Sequence, residues 1–491
     1  MLLDRRWIPV ALVVLLLGGA GVWLLAGAGG NAGRKHVVSS GVPLDEVHPA
    51  NLASGERRPG IVVAHGFAGS ARLMTQFGDT LAAHGYVVVL LDFSGHGANR
   101  NPLPDDNGTN DALQQDLSVA VAHLRTLPDV DPFRIGLVGH SMGATAVTRY
   151  AAEHPDIAAT VAISLPDGSV ALPGRPANLL LLVGGLEFPG FHRAADQAIA
   201  AGAPNRRAKT VPGVEHISIL YAPRAHRATA AWLDSAFGNQ ANPAPAPSPV
   251  RRVSGAALLM LALAIGLVPL GRLLLGPRTR GFPRLEAPLI GRAAAVAAVA
   301  AIPAALLAPL LPTADLPLAL GGYLVGLVTV TGILTLGYAL RRRTPSAATP
   351  IRPRLAVAAP VLIGYAAVAI AAPLHLGLTY AVPTGTRWWL LAVVWAAFAI
   401  LAYAAERLTA GNSYAVLAVS AVAVAALSAA AVFGLTSTFV LLVVPLLAVL
   451  LCWQAAWSAV LHTFAAPAWL IALAGSLLVA WPMATALPIL P

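Results

Sequence analysis

The chain has 491 residues, 57% of them hydrophobic and 11% charged, with a mean hydropathy of +0.70. Soluble domains carry about a quarter charged residues, so this composition excludes an ordinary soluble enzyme and a disordered chain. The formal net charge of +10 does not signal nucleic acid, because most arginines lie in short runs between apolar stretches, as membrane-topology signals do. A single cysteine, Cys452, excludes an intramolecular disulfide and a multi-cysteine metal site. It lies in an apolar stretch and is expected to pack there.

Residues 1–30 read as a transmembrane anchor. Asp4, Arg5 and Arg6 precede an apolar run over 7–28, enough for the roughly 20 residues a helix needs to cross hydrocarbon. Ala26, Gly27 and Ala28 resemble a signal-peptide cleavage site, but the run is long for a signal peptide. An uncleaved anchor is therefore expected.

Residues 36–238 differ in composition and carry most of the acidic side chains. Runs at 61–64, 87–91, 135–138, 160–164 and 179–183 are short, aliphatic and bounded by Gly, Pro or polar residues, as buried strands are. Helix-length stretches, such as 71–84 and 110–127, separate them. The alternation predicts an α/β domain with a mostly parallel sheet and helices on both faces. Residues 239–253 form a Pro/Ala-rich linker, expected to be extended.

Residues 254–491 read as an all-α membrane domain of about eight helices, near 255–275, 290–311, 317–340, 355–374, 387–405, 413–434, 438–460 and 467–488. With a cytoplasmic N-terminus, the inner loops hold Arg272, Arg278, Arg280 and Arg284, then Arg341, Arg342, Arg343, Arg352 and Arg354, then Arg407. The opposing short loops hold little beyond Arg387, so the positive-inside rule places the 36–238 domain and the C-terminus outside the cytoplasm. Arg251 and Arg252 dissent, beside a long exported domain where the rule is weaker. After Glu286 the acidic residues are Asp315 and Glu406, both at span ends. No mid-membrane carboxylate is available for ion coupling, which disfavours an ion-coupled transporter. Trp388, Trp389, Trp469 and Trp481 fit interfacial belts.

The chemistry is concentrated in the 36–238 domain. Gly139-His140-Ser141-Met142-Gly143 is a G-x-S-x-G sequence between a strand and a helix. The flanking glycines permit a sharp turn that exposes the serine hydroxyl at the carboxyl end of a sheet. His65-Gly66-Phe67-Ala68-Gly69 follows the first strong strand, where a glycine turn brings backbone close to a reacting carbonyl. The N–H groups of Phe67 and Met142 are the expected oxyanion hole. Serine needs a base; in the chain order Ser, acid, His, this is His216, after a short strand at 208–211. Glu187, just beyond the 179–183 strand, is the expected acid, with Asp167 as the alternative.

These residues resemble the α/β-hydrolase superfamily over roughly residues 40–237, in its dienelactone-hydrolase and serine-aminopeptidase-like esterase branch. Asp92-Phe93-Ser94-Gly95-His96-Gly97, like the family's D-x-x-G-x-G turn, and Asp131-Pro132-Phe133-Arg134 add to the match. Glu187 departs from it, since Asp is commoner there; Ala144, where the family often has Gly, is a minor departure. The resemblance implies hydrolysis of an ester, thioester or amide through an acyl-serine. No metal or organic cofactor is implied.

The non-catalytic alternatives are a turn serine at Ser141, a surface histidine at His216 and a solvated carboxylate at Glu187. Glu215 is expected to be solvated, His96 and His140 to be structural, and Asp116 to lie on a helix surface or cap. Only a short stretch separates Ser164 from Leu179, so little or no cap and an open site are expected. Expected partners are membrane lipids and an acyl ester, lipid or peptide substrate, with no nucleic acid. The rival readings are an acyltransferase of envelope lipids or glycans, a non-catalytic binding module, and a lipid-handling bundle with an accessory hydrolase.

Overall fold

The computed structural model describes residues 8–104, 108–203, 205–238, 244–342 and 354–491. Asp4, Arg5, Arg6, Arg343, Arg352 and linker residues 239–243 lie outside them. The chain divides into two compact units. A helical unit comprises Met1–Ala20, Ala257–Leu374 and Ala381–Leu487; a sheet unit comprises Gly21–Ala256, His375–Tyr380 and Pro488–Pro491. Helix α1 (Ile8–Ala26) runs through the first boundary.

The sheet unit is built on eight strands, β1 (Gly33–Ser39), β2 (Val42–His48), β3 (Arg58–Ala64), β4 (Val87–Leu91), β5 (Val130–His140), β6 (Ile157–Ile163), β7 (Asn178–Gly184) and β8 (Asn205–Val211). Their order is β1-β2-β4-β3-β5-β6-β7-β8. The β1–β2 and β2–β4 pairs are antiparallel and the rest parallel. Four helices lie between strands, α2 (Thr75–Ala83), α3 (Thr109–Thr126), α4 (Met142–Glu153) and α5 (Pro189–Ala200), and α6 (Pro223–Phe237) follows β8. Strands buried on both faces need aliphatic residues at every position, as in β4, Val-Val-Val-Leu-Leu. One core cluster joins α2 and α6 to the sheet through Phe77, Leu81, Leu233 and Phe237. Another joins α3 and α4 through Leu117, Val121, Val147 and Tyr150.

The hairpin β1–β2 falls outside the sequence-predicted strands. The first residues of β1, Gly-Arg-Lys-His, are exposed, and Pro43 interrupts β2, so neither carries the aliphatic signature of the inner strands.

The helical unit contains most of α7 (Arg251–Leu275), then α8 (Ala287–Leu307), α9 (Gly321–Arg341), α10 (Leu355–Gly377), α11 (Arg387–Thr409), α12 (Ser413–Val432), α13 (Val440–Thr463) and α14 (Ala468–Ala486). Among the described residues, α1 and these eight make nine helices long and apolar enough to cross a membrane. By length and composition the chain is a multi-pass membrane protein. Cys452 is exposed on α13, not packed as expected. A helix apolar all round offers no pattern to tell its inner face from its outer one. Arg387 is fully buried, and its Nη1 donates to the carbonyls of Ala484 and Leu487 at 2.8 Å each. Those carbonyls end α14 and lack intrahelical partners, so this arginine serves as a cap.

Candidate active site

Strand register assembles the site. Ala64 pairs with Gly139, His140 with Ile163, and Gly184 with Val211. The segments leaving β3, β5, β6, β7 and β8 therefore emerge at one edge of the sheet, carrying His65–Gly66, Ser141, Ser164, Glu187 and His216.

Ser141 is the sharp turn between β5 and α4. Its φ is +54°, a left-handed conformation that a side chain rarely adopts, and its amide donates to Ile163 O at 2.9 Å. The neighbouring glycines have steric reasons. A Cβ on Gly139 would collide with the Gly143 backbone, and one on Gly143 would lie 2.5 Å from His65 O. Met142 is the first residue of α4, so its N–H is among the four that lack an intrahelical acceptor. Opposite it, Gly66 approaches so closely that a Cβ there would sit 3.0 Å from Ser141 Cβ. This brings the turn bearing Phe67 beside Ser141.

His216 Nε2 lies 3.1 Å from Ser141 Oγ. On its other side His216 Nδ1 faces Glu187 Oε2 at 3.9 Å, and the Glu187 side chain is wholly buried. The second Glu187 oxygen, Oε1, accepts from Ser164 Oγ at 2.5 Å and from the Gly184 amide at 3.3 Å. Asp167 is not brought to this cluster. It is exposed and caps its own turn, accepting from Ser169 N at 2.9 Å and Ser169 Oγ at 2.7 Å.

Two further histidines hold the frame. His140 Nε2 is 2.9 Å from His216 O, which requires a proton on Nε2 and ties the His216 backbone to the residue before Ser141. Burial, then the neighbouring His216, drives the His140 pKa well down. His65 accepts from Phe93 N through Nε2 at 3.1 Å, so its proton sits on Nδ1 and is donated to Gly66 O at 2.8 Å. Complete burial lowers its pKa to about 4, which keeps this neutral tautomer. The turn after β4 is equally fixed. Asp92 accepts from the amides of Ala71 at 2.7 Å and Ala98 at 2.8 Å, while burial raises its pKa to about 6. Asp116 is buried rather than on a helix surface, and it accepts from Ser94 N at 2.7 Å. A carboxylate in the middle of a helix pattern reads as solvated unless the loop it serves is known. Glu215 is exposed and accepts from the amides of Ile217 and Ser218 at 2.9 and 2.7 Å.

Ser164 is the site residue the sequence reading did not single out. Its signal lies in the structure: φ is +56° one residue beyond β6, and it is fully buried. Between Ser164 and β7 there is only a one-turn 3-10 helix, Gly168–Val170, and irregular chain. No helical cap enters there, and Leu186, Phe188 and Ile217 are exposed on the segments that carry Glu187 and His216. Among the described residues no group of three or more His, Cys, Asp or Glu is arranged to hold a metal.

The mostly parallel sheet, with Ser141 on the turn after β5 and a carboxylate and a histidine beyond β7 and β8, has the α/β-hydrolase fold. Residues 55–192 match the family described as serine aminopeptidase, S33. An uncharacterized protein of Mycobacterium tuberculosis (strain H37Rv) is 29% identical over 189 residues, covering 33% of this chain and 64% of the relative. A cutinase of Thermobifida alba is 28% identical over 106 residues, 21% of this chain and 34% of that enzyme. The chain thus spans less than two thirds of either relative. A dienelactone hydrolase structure from Anabaena variabilis aligns with 42% of this chain and 97% of its own, at 21% identity and a TM-score of 0.33.

Proposed function

We propose that the chain is a membrane-bound serine hydrolase that cleaves an ester, thioester or amide bond through an acyl-serine intermediate. The observation that carries this reading is the 3.1 Å approach of His216 Nε2 to Ser141 Oγ on a left-handed turn. In this mechanism His216 takes the Ser141 proton as the hydroxyl attacks the acyl carbon. The amides of Phe67 and Met142 receive the oxyanion. The imidazolium, oriented and stabilised by Glu187, then protonates the leaving group. Water, deprotonated by His216, attacks the acyl-serine, and His216 returns that proton to Ser141 Oγ as the acyl–oxygen bond breaks and the acid leaves. The exposed Leu186, Phe188 and Ile217 favour a substrate with an apolar acyl part.

Fluorophosphonate labelling of membranes tests it. The native chain should label, and Ser141→Ala and His216→Ala should not. Folded native protein that stays unlabelled would remove the catalytic reading in favour of a binding module.

The proposed location is extracytoplasmic, because the arginine-rich short loops are then cytoplasmic. The two arginines that dissent from that pattern have structural partners: Arg252 Nη2 donates to Asp79 Oδ2 at 3.1 Å, and Arg251 donates to Leu24 O with its guanidinium 4.8 Å from the Trp23 ring centre. Ser248→Cys in a Cys452→Ser background should react with an impermeant maleimide on intact cells. Reaction only after lysis would reverse the orientation.

A further inference from the structure

The sheet unit recruits His375–Tyr380, which begins in the last turn of α10, more than 230 residues beyond Ser141 in the sequence. Thr379 Oγ1 lies 2.9 Å from Ser70 Oγ, and the Tyr380 amide donates to the same Ser70 oxygen at 3.0 Å. Arg72 Nη1 donates to the His375 carbonyl at 3.2 Å. All three contacts land on residues 70–72, directly after the glycine turn that carries Phe67.

Ser70 occupies the N-cap of the one-turn 3-10 helix Ala71–Met74. A serine at such a position ordinarily turns its oxygen onto an N–H of the first turn. Ser70 makes no such bond; buried at 1% exposure, its hydroxyl meets Thr379 and Tyr380 instead. The turn before it needs an outside hold. Ala68 sits at φ +57°, a conformation that costs about 1 kcal/mol or more for a residue with a Cβ. Gly69 N closes the turn on Gly66 O at 3.0 Å, and Asp92 fixes the Ala71 amide at 2.7 Å. Ser70 is the link between the strained turn and that fixed amide.

We propose that Ser70 and Thr379 are positioning residues for the oxyanion turn, through which the segment after α10 sets the place of the Phe67 amide. Phe67 meets the reacting oxygen; Ser70 and Thr379 act only through it. A second distant segment braces the neighbouring loop: Ile489 donates to Gly95 O at 2.9 Å and accepts from Leu103 N at 2.8 Å. The ring of His96, in that loop, lies 5.0 Å from His65 and 6.0 Å from Phe67. The inference rests on the serine-hydrolase reading above.

The test uses the full chain in detergent. Active sites are titrated to completion with a fluorophosphonate, and p-nitrophenyl butyrate turnover is measured per titrated site. Ser70→Ala and Thr379→Val are expected to lower kcat about tenfold with KM within about twofold, the size of effect a small misplacement of a catalytic donor gives. Thr379→Ser, which keeps the hydroxyl, should restore kcat. If Ser70→Ala does not fold, the Thr379 pair decides. Native labelling together with unchanged kcat per site in Thr379→Val overturns the inference and leaves the hydrolase reading standing. So does a loss confined to thermal stability. Absence of native labelling overturns both.

Discussion

Ser164 Oγ donates to Glu187 Oε1 at 2.5 Å, while Oε2 of the same carboxylate faces His216 Nδ1 at 3.9 Å. One oxygen of the carboxylate is thus anchored by a buried hydroxyl from the next strand, and the other is left for the imidazole. Such hydrogen bonds are often long without substrate and tighten in the reactive complex.

If Ser164 orients the acid, three substitutions separate cleanly. Glu187→Gln should lower kcat by about 10³ to 10⁴, the cost of losing the group that orients and charges against the base. Ser164→Ala should cost about tenfold, the scale of one hydrogen bond to a charged group. Asp167→Ala, which removes an exposed turn cap, should leave kcat for p-nitrophenyl butyrate unchanged. Equal losses in the Asp167 and Glu187 variants would reassign the acid.

Gly143→Ala places a Cβ 2.5 Å from His65 O, in contact with backbone that cannot rotate away. The cost should be at least the 1–3 kcal/mol typical of overpacking. A lowered thermal unfolding temperature with weakened fluorophosphonate labelling is the expected result. An unchanged melting curve would show that the turn has room the geometry denies.

Asp79 is 4% exposed, and it pairs with Arg34 and with Arg252 Nη2, the latter at 3.1 Å. Burial, then the charge of Arg252, lowers the Arg34 pKa to about 10. Asp79→Asn leaves two close guanidiniums without a counter-charge and should destabilise by about 3 kcal/mol. Arg34→Ala removes a partly exposed partner and should cost under about 1 kcal/mol. Denaturant titration in detergent gives both values.

A polar cluster under β2 sets a pH window. His48 Nδ1 meets Asp129 at 2.6 Å, His48 Nε2 meets Glu46 at 3.2 Å, and His123 Nε2 meets Glu46 at 2.8 Å. The Asp129 hydrogen bond raises the His48 pKa against burial, with Glu46 adding to the rise. Burial tends to raise Glu46, but hydrogen bonds from His123 and His48, with Lys35 nearby, leave it lowered. Asp129 is likewise lowered by His48 against burial. The raised histidine contributes stability fully below its unfolded value of about 6.5 and loses it as pH rises through the folded value. The carboxylates contribute above about 4 and lose it as pH falls through their lower folded values. The cluster should therefore stabilise most between about pH 5 and 6. His48→Asn should flatten the decline in melting temperature from pH 6 to 8.5; an unaltered slope would exclude His48 as its source.

The inner strands and the nine apolar helices among the described residues were legible because each is written in local composition. The register pairs Ala64–Gly139 and Gly184–Val211 follow from parallel strands ending together, so the order of motif loops was also readable. What the sequence concealed depends on tertiary partners. Ser164 looks like any polar residue ending a strand until Glu187 lies beside it. Asp116 looks solvated until Ser94 N meets it. The hairpin β1–β2 has too few aliphatics to declare itself. Thr379 and Ile489 lie in the part of the chain dominated by membrane helices, and nothing local ties them to the sheet.

The contact of Ile489 with Gly95 and Leu103 has a consequence for biosynthesis. Its two halves are separated by about 390 residues, so the loop beside His96 emerges from the ribosome long before its partner exists. The sheet can form early, as domains generally do during synthesis. The bonds from residue 489, however, form only after all eight later helices have been made. Maturation of this edge of the sheet is thereby tied to synthesis of the segment after α14, and a polypeptide stopped after the linker would lack Thr379 and Ile489 however well its strands paired.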